Sequence, residues 1–217
     1  MNTLNDLDFL ETLFTPLVSD TMDSLGIEDR VLPSSIQSIF FDPSLKVAGY
    51  AYPCRVKPTD EYVEIHTLLE MVDAIPKDSI VLVASDADID AALWGGLMST
   101  RAKIRGARGA IVTGGVRDIE QISMLGFPVF AQYHSVKDIR RRGFMAEHGV
   151  TLTIGETEIA QGDIIFGDAN GVVCIPKNRM AEIRVALEKR LEGESETQKG
   201  LLSGSSAGEL FGEFGTF

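Results

Sequence analysis

The first half of the chain alternates amphipathic segments with uniformly apolar ones. Apolar residues recur at helical spacing between positions 7 and 26, and Pro16 interrupts them. This pattern predicts two short helices, the second beginning near Ser19 and ending at Gly26. Further along, the pattern predicts helices over 61–74, 96–105 and 118–125, and strands over 46–56, 79–84, 109–115 and 127–131. Helices that alternate with buried strands are typical of an α/β protein.

The second half changes to short strands separated by tight turns. The predicted strands cover 150–154, 157–160, 163–167 and 171–176, and Asn170-Gly171 is a strong hairpin signal. A charged helix is predicted over 178–199, and the Gly/Ser-rich tail 203–217 is expected to be loose. No composition shift marks a boundary, so residues 1–217 are interpreted as one α/β domain with a mixed sheet.

Composition narrows the class of protein further. The chain has 217 residues, of which 44% are hydrophobic, enough to bury a substantial core. A net charge of −12 would repel phosphate backbones, so we expect no nucleic-acid partner.

Cys54 and Cys174 lie in apolar runs, which indicates buried strand thiols rather than metal ligands. With no signal-peptide pattern and no apolar run near the roughly 18 residues of a membrane span, we expect a cytoplasmic protein without a membrane partner.

The common catalytic signatures are missing from the sequence. It contains no GxGxxG at a strand–helix junction, no P-loop, no GxSxG and no HExxH. The histidines, His66, His134 and His148, are not spaced as metal ligands, and each alone is more typical of a surface or interface residue. These observations argue against the usual nucleotide-binding folds and against a serine-triad hydrolase.

The segment 94-WGGLMSTRAKIRG-106 is the first candidate for chemistry. Gly95 and Gly96 open a predicted helix without a local side-chain cap, so the amides of Gly96, Leu97 and Met98 could bind a carboxylate. A closely packed loop-to-helix junction would give the same pattern. Basic residues follow at Arg101, Lys103, Arg105 and Arg108 and again in 137-KDIRRRG-143. They could collect small anions, or they could form a solvated helix face or a subunit interface.

The stretch 113-TGGVRDIEQI-122 is the second candidate and supports two interpretations. Asp118 with Gln121 fits a capping box at the start of a helix. Alternatively, Arg117 and Asp118 lie at the carboxyl end of a buried strand, where α/β sheets collect their ligands. Arg117 would then hold a carboxylate or oxyanion in fork geometry, and Asp118 would bind a hard cation such as Mg²⁺ or Mn²⁺.

The run from Trp94 to Gln132 resembles the core block of the 4-hydroxy-4-methyl-2-oxoglutarate aldolases. These class II pyruvate aldolases share a fold with the regulator of ribonuclease activity A. The likeness extends to 18-VSDTMDSLG-26 and 162-GDIIFGDANGVVCIP-176, and therefore covers most of the chain. It implies a three-layer swivelling β/β/α domain, a homotrimer or a homohexamer built from two trimers, and a divalent metal, Mg²⁺ or Mn²⁺.

The resemblance also implies roles for individual residues. Arg117 would bind the pyruvyl group, Asp118 would coordinate the metal directly, and the amides following Gly95 and Gly96, those of Leu97 and Met98, would hold the substrate carboxylate. A glutamate of the C-terminal helix would reach a metal-bound water of a neighbouring subunit. Glu194 is the closest positional match, and Glu192 and Glu196 remain alternatives.

One position departs from the family pattern. The aldolases carry an acid 21 residues before the arginine, which positions a metal-bound water and helps to make it a base, and this chain has Gly96 there. Asp86, Asp88 or Asp90 could substitute for it. We therefore expect a metal-dependent lyase that releases pyruvate from an α-keto acid, with Gly96 favouring either decarboxylation over aldol cleavage or a different substrate altogether. The alternative is a non-catalytic binding protein like the ribonuclease regulator, but that regulator lacks the aspartate that this chain keeps at Asp118.

Overall fold

A computed structural model describes residues 4–40 and 42–214 of the protein. The helices are α1 (Asp6–Leu10), α2 (Thr15–Ser24), α3 (His66–Ala74), α4 (Gly96–Arg105), α5 (Ile119–Leu125), α6 (Met180–Leu202) and α7 (Ala207–Phe214). The strands are β1 (Gln37–Ser38), β2 (Lys46–Pro58), β3 (Ser79–Ser85), β4 (Ala92–Trp94), β5 (Gly109–Val116), β6 (Val129–His134), β7 (Gly143–His148), β8 (Leu152–Ile154), β9 (Thr157–Ile159), β10 (Ile164–Asp168) and β11 (Gly171–Ile175).

Nine of these strands form one mixed sheet. Its order is β1-β6-β5-β3-β2-β10-β11, with β4 added beside β5 and β7 beside β2. The pairs made by β3, β4 and β6 with β5, and by β2 with β3, are parallel, whereas the β2–β10–β11 part is antiparallel. Val31 bridges Val173 of β11 shortly before β1 pairs with β6, so the two ends of the sheet nearly meet.

Three apolar clusters show how the layers pack. Alternate residues of the central strands face opposite ways, as strand geometry requires. Val81 and Val83 point to α3, α4 and α5, while Ile80 and Leu82 point to the inside of the curved sheet. The hairpin β8–β9 closes that interior, and a third cluster packs α1, α2 and α6 against β10 and β11.

The predicted α/β fold with a mixed sheet is confirmed, and the central elements lie close to their predicted bounds. The buried thiols are also confirmed: burial raises the pKa of Cys174 to about 12 and raises that of Cys54 strongly as well. Within residues 4–40 and 42–214, no helix is long and apolar enough to cross a membrane.

Several element boundaries differ from the sequence predictions. The second helix begins at Thr15 rather than near Ser19, because Pro16 lies in its first turn, where a missing N–H costs nothing. The helix predicted over 61–74 begins only at His66. Strands β1, β4 and β7 are not predicted from the sequence: β1 and β4 have only two and three residues, too few to show a period, and β7 mixes apolar and polar residues without regular alternation. The tail predicted to be loose contains α7, whose Leu210 is buried against α6 at Gly200.

A buried aspartate of β10 connects the sheet to the start of α2. The Asp168 carboxylate is 4% exposed and accepts hydrogen bonds from the Thr15 N–H at 2.8 Å and the Thr15 hydroxyl at 2.7 Å. It also accepts a 2.8 Å bond from the N–H of Asn170 in the β10–β11 turn. Since Phe14 provides no side-chain cap, Asp168 caps α2 from a distant part of the chain.

We therefore expect Asp168→Ala to lower the free energy of unfolding by about 3 kcal/mol, because it leaves buried donors without an acceptor. Urea titration would measure the change. Asp60→Ala, at an exposed bend, is the matched control and should change stability by less than about 0.5 kcal/mol. Equal effects of the two substitutions would contradict the capping role of Asp168.

Candidate active site

The parallel pairing of β4 with β5 brings the two candidate segments together. Trp94 pairs with Val116, and the N–H of Arg117 donates to the Trp94 carbonyl at 3.1 Å. The chain leaves both strands at the same edge of the sheet, so Gly95 and Gly96 lie beside Arg117 and Asp118. Carboxyl ends of parallel strands are where α/β proteins place their ligand sites.

Asp118 occupies the cap position of α5 but caps the neighbouring helix instead. Its backbone is left-handed, with φ 60° and ψ 39°, and its side chain makes no hydrogen bond to α5. The Oδ2 atom accepts a 3.0 Å bond from the N–H of Gly96, the first residue of α4. The capping box with Gln121 is therefore wrong. A left-handed aspartate costs free energy, and such residues concentrate at functional sites.

Arg117 lies between two carboxylates at the same edge. Its Nη1 donates to Asp138 Oδ2 at 3.1 Å, and its Nε lies 3.8 Å from Asp118 Oδ2. A hydrogen bond from the Arg140 N–H, together with the Arg117 side chain, lowers the pKa of Asp138 below its ordinary value. Asp138 therefore stays ionised and holds the guanidinium in place at the mouth of the site.

The start of α4 offers free amide groups next to this pair. The indole N–H of Trp94 donates to Ser99 Oγ at 2.7 Å, and that hydroxyl donates to the Gly95 carbonyl at 3.1 Å. These buried contacts fix the turn into the helix. Within the part of the chain that the structure describes, the N–H groups of Leu97 and Met98 have no acceptor. Together with the positive end of the helix dipole, these groups could hold an anion.

The two glycines let side chains approach the backbone of this turn closely. A Cβ on Gly95 would lie 2.8 Å from Asp118 Oδ2, so only glycine leaves room for this carboxylate. At Gly96 a Cβ would overlap Gln121 Oε1 and lie 3.2 Å from Asp118 Cβ. The space that an acid would enter from position 96 is thus filled by Gln121. The Gly96 amide is already bonded to Asp118, which leaves the Leu97 and Met98 amides for a ligand.

A cavity of about 450 Å³ opens in front of these groups. Arg117, Asp118, Gly95, Leu97 and Met98 line one end of it. Most of the remaining wall is apolar and comes from α3 with the segment before it and from the region of β7: Val63, Ile65, Leu68, Leu69, Val72, Ile139, Phe144 and Met145. The volume lies in the range of about 300–1,000 Å³ that is typical of small-molecule sites.

Most of the other basic residues have structural contacts. Arg108 pairs with Glu11 at 2.9 Å, Arg105 donates to the Ile75 carbonyl at 3.2 Å, and Lys103 donates to the Leu125 carbonyl. Arg101 borders the cavity, but it is paired with Asp73 at 2.7 Å. The basic island therefore serves mainly to join elements.

The acidic residues proposed as substitutes at position 96 do not line the cavity. Arg55 binds both oxygens of Asp86 at 2.8 Å, and Lys137 pairs with Asp90. Asp88, in the same loop, also lies outside the cavity wall. Besides Asp118, the acid that reaches Arg117 is Asp138, which the sequence interpretation missed. Its signal was a single acidic residue within the basic run 137–143.

Glu194 lies on α6, away from the cavity wall of its own chain. Burial raises its pKa, and Asp20 acts in the same direction against the opposing effect of Arg190. Glu196 accepts a hydrogen bond from Lys199 at 2.6 Å. A contribution of Glu194 to a neighbouring subunit stays a prediction. Within residues 4–40 and 42–214, no three His, Cys, Asp or Glu side chains cluster as metal ligands.

Comparison with known proteins defines the family. Residues 15–174 match the model of the RraA-like family, described as Aldolase/RraA, and this match spans well over half of the chain. The protein therefore belongs to the RraA-like family. A solved member, RraAS2 of Streptomyces coelicolor, described as an unusual member of the RNase ES inhibitor RraA family, superposes with a TM-score of 0.77. It is 19% identical over 90% of this chain and 94% of its own, a likeness that concerns the fold alone.

Two curated proteins are similar to this chain over most of its length. A Halalkalibacterium halodurans protein provisionally named 4-hydroxy-4-methyl-2-oxoglutarate aldolase is 30% identical over 85% of this chain and 84% of its own. Protein DlpA of Legionella pneumophila is 32% identical over 76% of this chain. The matched part spans only 26% of DlpA, so the chain corresponds to about a quarter of that relative.

The close packing of Gln121 and Asp118 around Gly96 can be tested by stability measurements. We expect Gly96→Ala to be less stable than Gly208→Ala by about 1 kcal/mol, because its Cβ would lie 3.2 Å from Asp118 Cβ and 3.3 Å from Gln121 Cβ and would displace the exposed Gln121 amide. Gly208, in α7, has nothing within 4 Å of its Cβ position and is the matched control.

The partner in this overlap is identified by a double-mutant cycle. Adding Gln121→Gly to Gly96→Ala should recover at least about 0.5 kcal/mol beyond the sum of the single effects. Additive effects, measured by thermal or urea unfolding, would show that Gln121 does not close this position.

Proposed function

We propose that the protein is a divalent-metal-dependent lyase that cleaves a carbon–carbon bond of an α-keto acid and releases pyruvate. The observation that carries the proposal is the convergence of the Arg117 guanidinium, the Asp118 carboxylate and the free amides of Leu97 and Met98 on one end of a cavity. The aldolase name of the Halalkalibacterium relative supports the same class of reaction.

The positive groups suit the carboxylate and the neighbouring keto oxygen of a pyruvyl unit. The amides of Leu97 and Met98 would bind the carboxylate at the positive end of the α4 dipole. The Arg117 guanidinium would donate to the keto oxygen, where negative charge grows as the bond breaks. Since Asp138 holds the Arg117 Nη1 in place, little reorganisation is needed when that charge develops.

Asp118 fits a hard divalent cation. One of its oxygens accepts the Gly96 N–H, and the side chain is still 36% exposed toward the cavity. Mg²⁺ commonly binds through one or two carboxylates and keeps several waters. When bound there, Mg²⁺ or Mn²⁺ would supply Lewis-acid polarisation of the keto group.

The carboxylates present favour decarboxylation over aldol cleavage. In oxaloacetate, the bond from C3 to the C4 carboxylate breaks and CO₂ leaves. The electron pair of that bond stays on the remaining fragment as the enolate of pyruvate, which takes a proton from water at C3. Aldol cleavage also requires a base for the C4 hydroxyl proton. Position 96 supplies none, and Asp138 is a weak proton acceptor because its pKa is lowered.

The metal ligand is tested by Asp118→Asn. Asparagine tolerates the left-handed backbone and can still accept the Gly96 N–H, so the melting temperature should change little. We expect Mn²⁺ affinity, measured by calorimetry or electron paramagnetic resonance, to fall at least about tenfold because the charge is lost. Asp60→Asn is the control. Unchanged Mn²⁺ affinity in Asp118→Asn would show that the metal does not bind at Asp118.

The role of Arg117 is tested by pyruvate release from oxaloacetate with Mg²⁺. Arg117→Lys keeps the charge but loses the fork, so kcat/KM should fall about 100-fold. Arg179→Lys, in an exposed ion pair with Glu182, should retain activity.

The competing proposal is a binding protein like the ribonuclease regulator. If the wild-type protein turns over neither oxaloacetate nor 4-hydroxy-4-methyl-2-oxoglutarate with Mg²⁺ or Mn²⁺, the lyase proposal fails. A large ribonuclease recovered as a stoichiometric partner would then favour the regulatory function.

A further inference from the structure

Arg140 is a cation of the cavity wall whose guanidinium is not already bonded. It lies in the segment between β6 and β7, and its side chain is 55% exposed. By contrast, Arg101 in the same wall is paired with Asp73 at 2.7 Å, and Arg117 is held by Asp138 at 3.1 Å. In the part of the chain that the structure describes, the Arg140 guanidinium makes no hydrogen bond, and its Nε lies 3.8 Å from Asp138 Oδ1.

The carboxylate next to Arg140 is already used by other donors. Asp138 Oδ2 accepts a hydrogen bond from Arg117 Nη1 at 3.1 Å, and Oδ1 accepts one from the backbone N–H of Arg140 at 2.8 Å. The two terminal nitrogens of the Arg140 side chain therefore remain as donors. A planar guanidinium with two free nitrogens can bind a carboxylate through two parallel hydrogen bonds.

The charges at the polar end of the cavity also favour a second anionic group on the ligand. Asp118 and Asp138 balance Arg117 and Arg140 there. With a divalent cation on Asp118, this end would carry two positive charges, which a dicarboxylate would neutralise and a monocarboxylate would not. Glu64 also borders the cavity, but it is exposed to solvent on the segment before α3, where its charge is screened.

The apolar part of the cavity offers no place for that second group. Side chains such as Val63 and Leu68 form this part, and a carboxylate among them would lose its hydration without gaining a partner. Arg140 belongs to the same segment as Asp138, which contacts Arg117, so it borders the polar end. A second carboxylate is therefore most favourably placed at Arg140.

We infer that Arg140 is a specificity-determining residue that binds the second carboxylate of a 2-keto dicarboxylate. The pyruvyl end would lie at Arg117 and the amides of Leu97 and Met98, and Arg140 would hold the carboxylate that leaves as CO₂. Loss of neutral CO₂ ends the attraction to Arg140, so the remaining monocarboxylate, pyruvate, is bound less tightly and dissociates. This inference rests on the proposed function, because the same polar end must first bind the pyruvyl unit.

Steady-state kinetics with oxaloacetate and Mg²⁺ test the role of Arg140. Because the carboxylate loses its charge as CO₂ forms, Arg140 stabilises the bound substrate rather than the transition state. Arg140→Gln should therefore raise KM about tenfold without lowering kcat, and Arg140→Lys, which keeps the charge, should raise KM by less. Arg141→Gln removes the same charge one residue away, at an exposed side chain outside the cavity wall, and should leave KM unchanged.

Binding of unreactive ligands to the full chain measures the same contact without turnover. The second carboxylate of 2-oxoglutarate is one carbon farther from the keto group, so its loss as CO₂ would not give an enolate. In 5-methyl-2-oxohexanoate an isopropyl group of the same shape replaces that carboxylate. In calorimetry with Mg²⁺ present, Arg140→Gln should bind 2-oxoglutarate about tenfold more weakly than the wild type does, while its affinities for 5-methyl-2-oxohexanoate and pyruvate stay unchanged.

The outcomes separate the two proposals. If the wild type turns over oxaloacetate but Arg140→Gln changes neither KM nor the affinity for 2-oxoglutarate, the inference fails and the proposed function stands. If Arg141→Gln has the same effects as Arg140→Gln, the general field of the basic segment accounts for them, and the inference is again wrong. If the wild type neither binds pyruvate nor turns over oxaloacetate, the proposed function fails together with the inference.

Discussion

The hydrogen bond from the Arg117 N–H to the Trp94 carbonyl is the contact on which the candidate site depends. It extends the parallel pairing of β4 with β5 by one residue past the end of the strands. Because of it, two segments that are more than twenty residues apart in sequence leave the sheet side by side. Without this register the Asp118 carboxylate could not reach the start of α4, and Arg117 would not border the cavity.

Asp118 shows how one side chain can serve structure and chemistry together. Its carboxylate takes the first amide of α4, a bond that places the helix start against α5. The approach requires glycine at position 95 and a left-handed backbone at Asp118 itself. Such a backbone is costly, and the bond to Gly96 offsets part of that cost. The rest of the carboxylate faces the cavity beside the Arg117 guanidinium. A cation would bind to the carboxylate there, and an anionic ligand would bind to the guanidinium.

Much of the fold could be predicted from the sequence because its central elements follow simple periodicity. The buried strands 79–84 and 109–115 and the helix from Gly96 to Arg105 have apolar patterns that match one type of element. The start of α2 was missed because its cap, Asp168, is distant in sequence. Strand β4 was missed because three residues give no period.

The composition of the site was easier to predict than its connections. The sequence pointed to Arg117, Asp118 and the Gly95-Gly96 turn as candidates, and the structure places them side by side, but the target of the Asp118 carboxylate was not predicted. A capping box is a local pattern, whereas the bond to Gly96 depends on strand register, which no local pattern encodes. For the same reason, the contact of Asp138 with Arg117 could not be predicted from its position in a basic run. The approach of the Gln121 side chain to Gly96 also depends on how the two helices pack.

A crystal structure of the protein grown with Mg²⁺ and oxalate, a stable mimic of the pyruvate enolate, would test the central claim most directly. The geometry predicts a cation on Asp118, with oxalate between Arg117 and the amides of Leu97 and Met98. Oxalate bound elsewhere in the cavity, or a cation that does not touch Asp118, would contradict it.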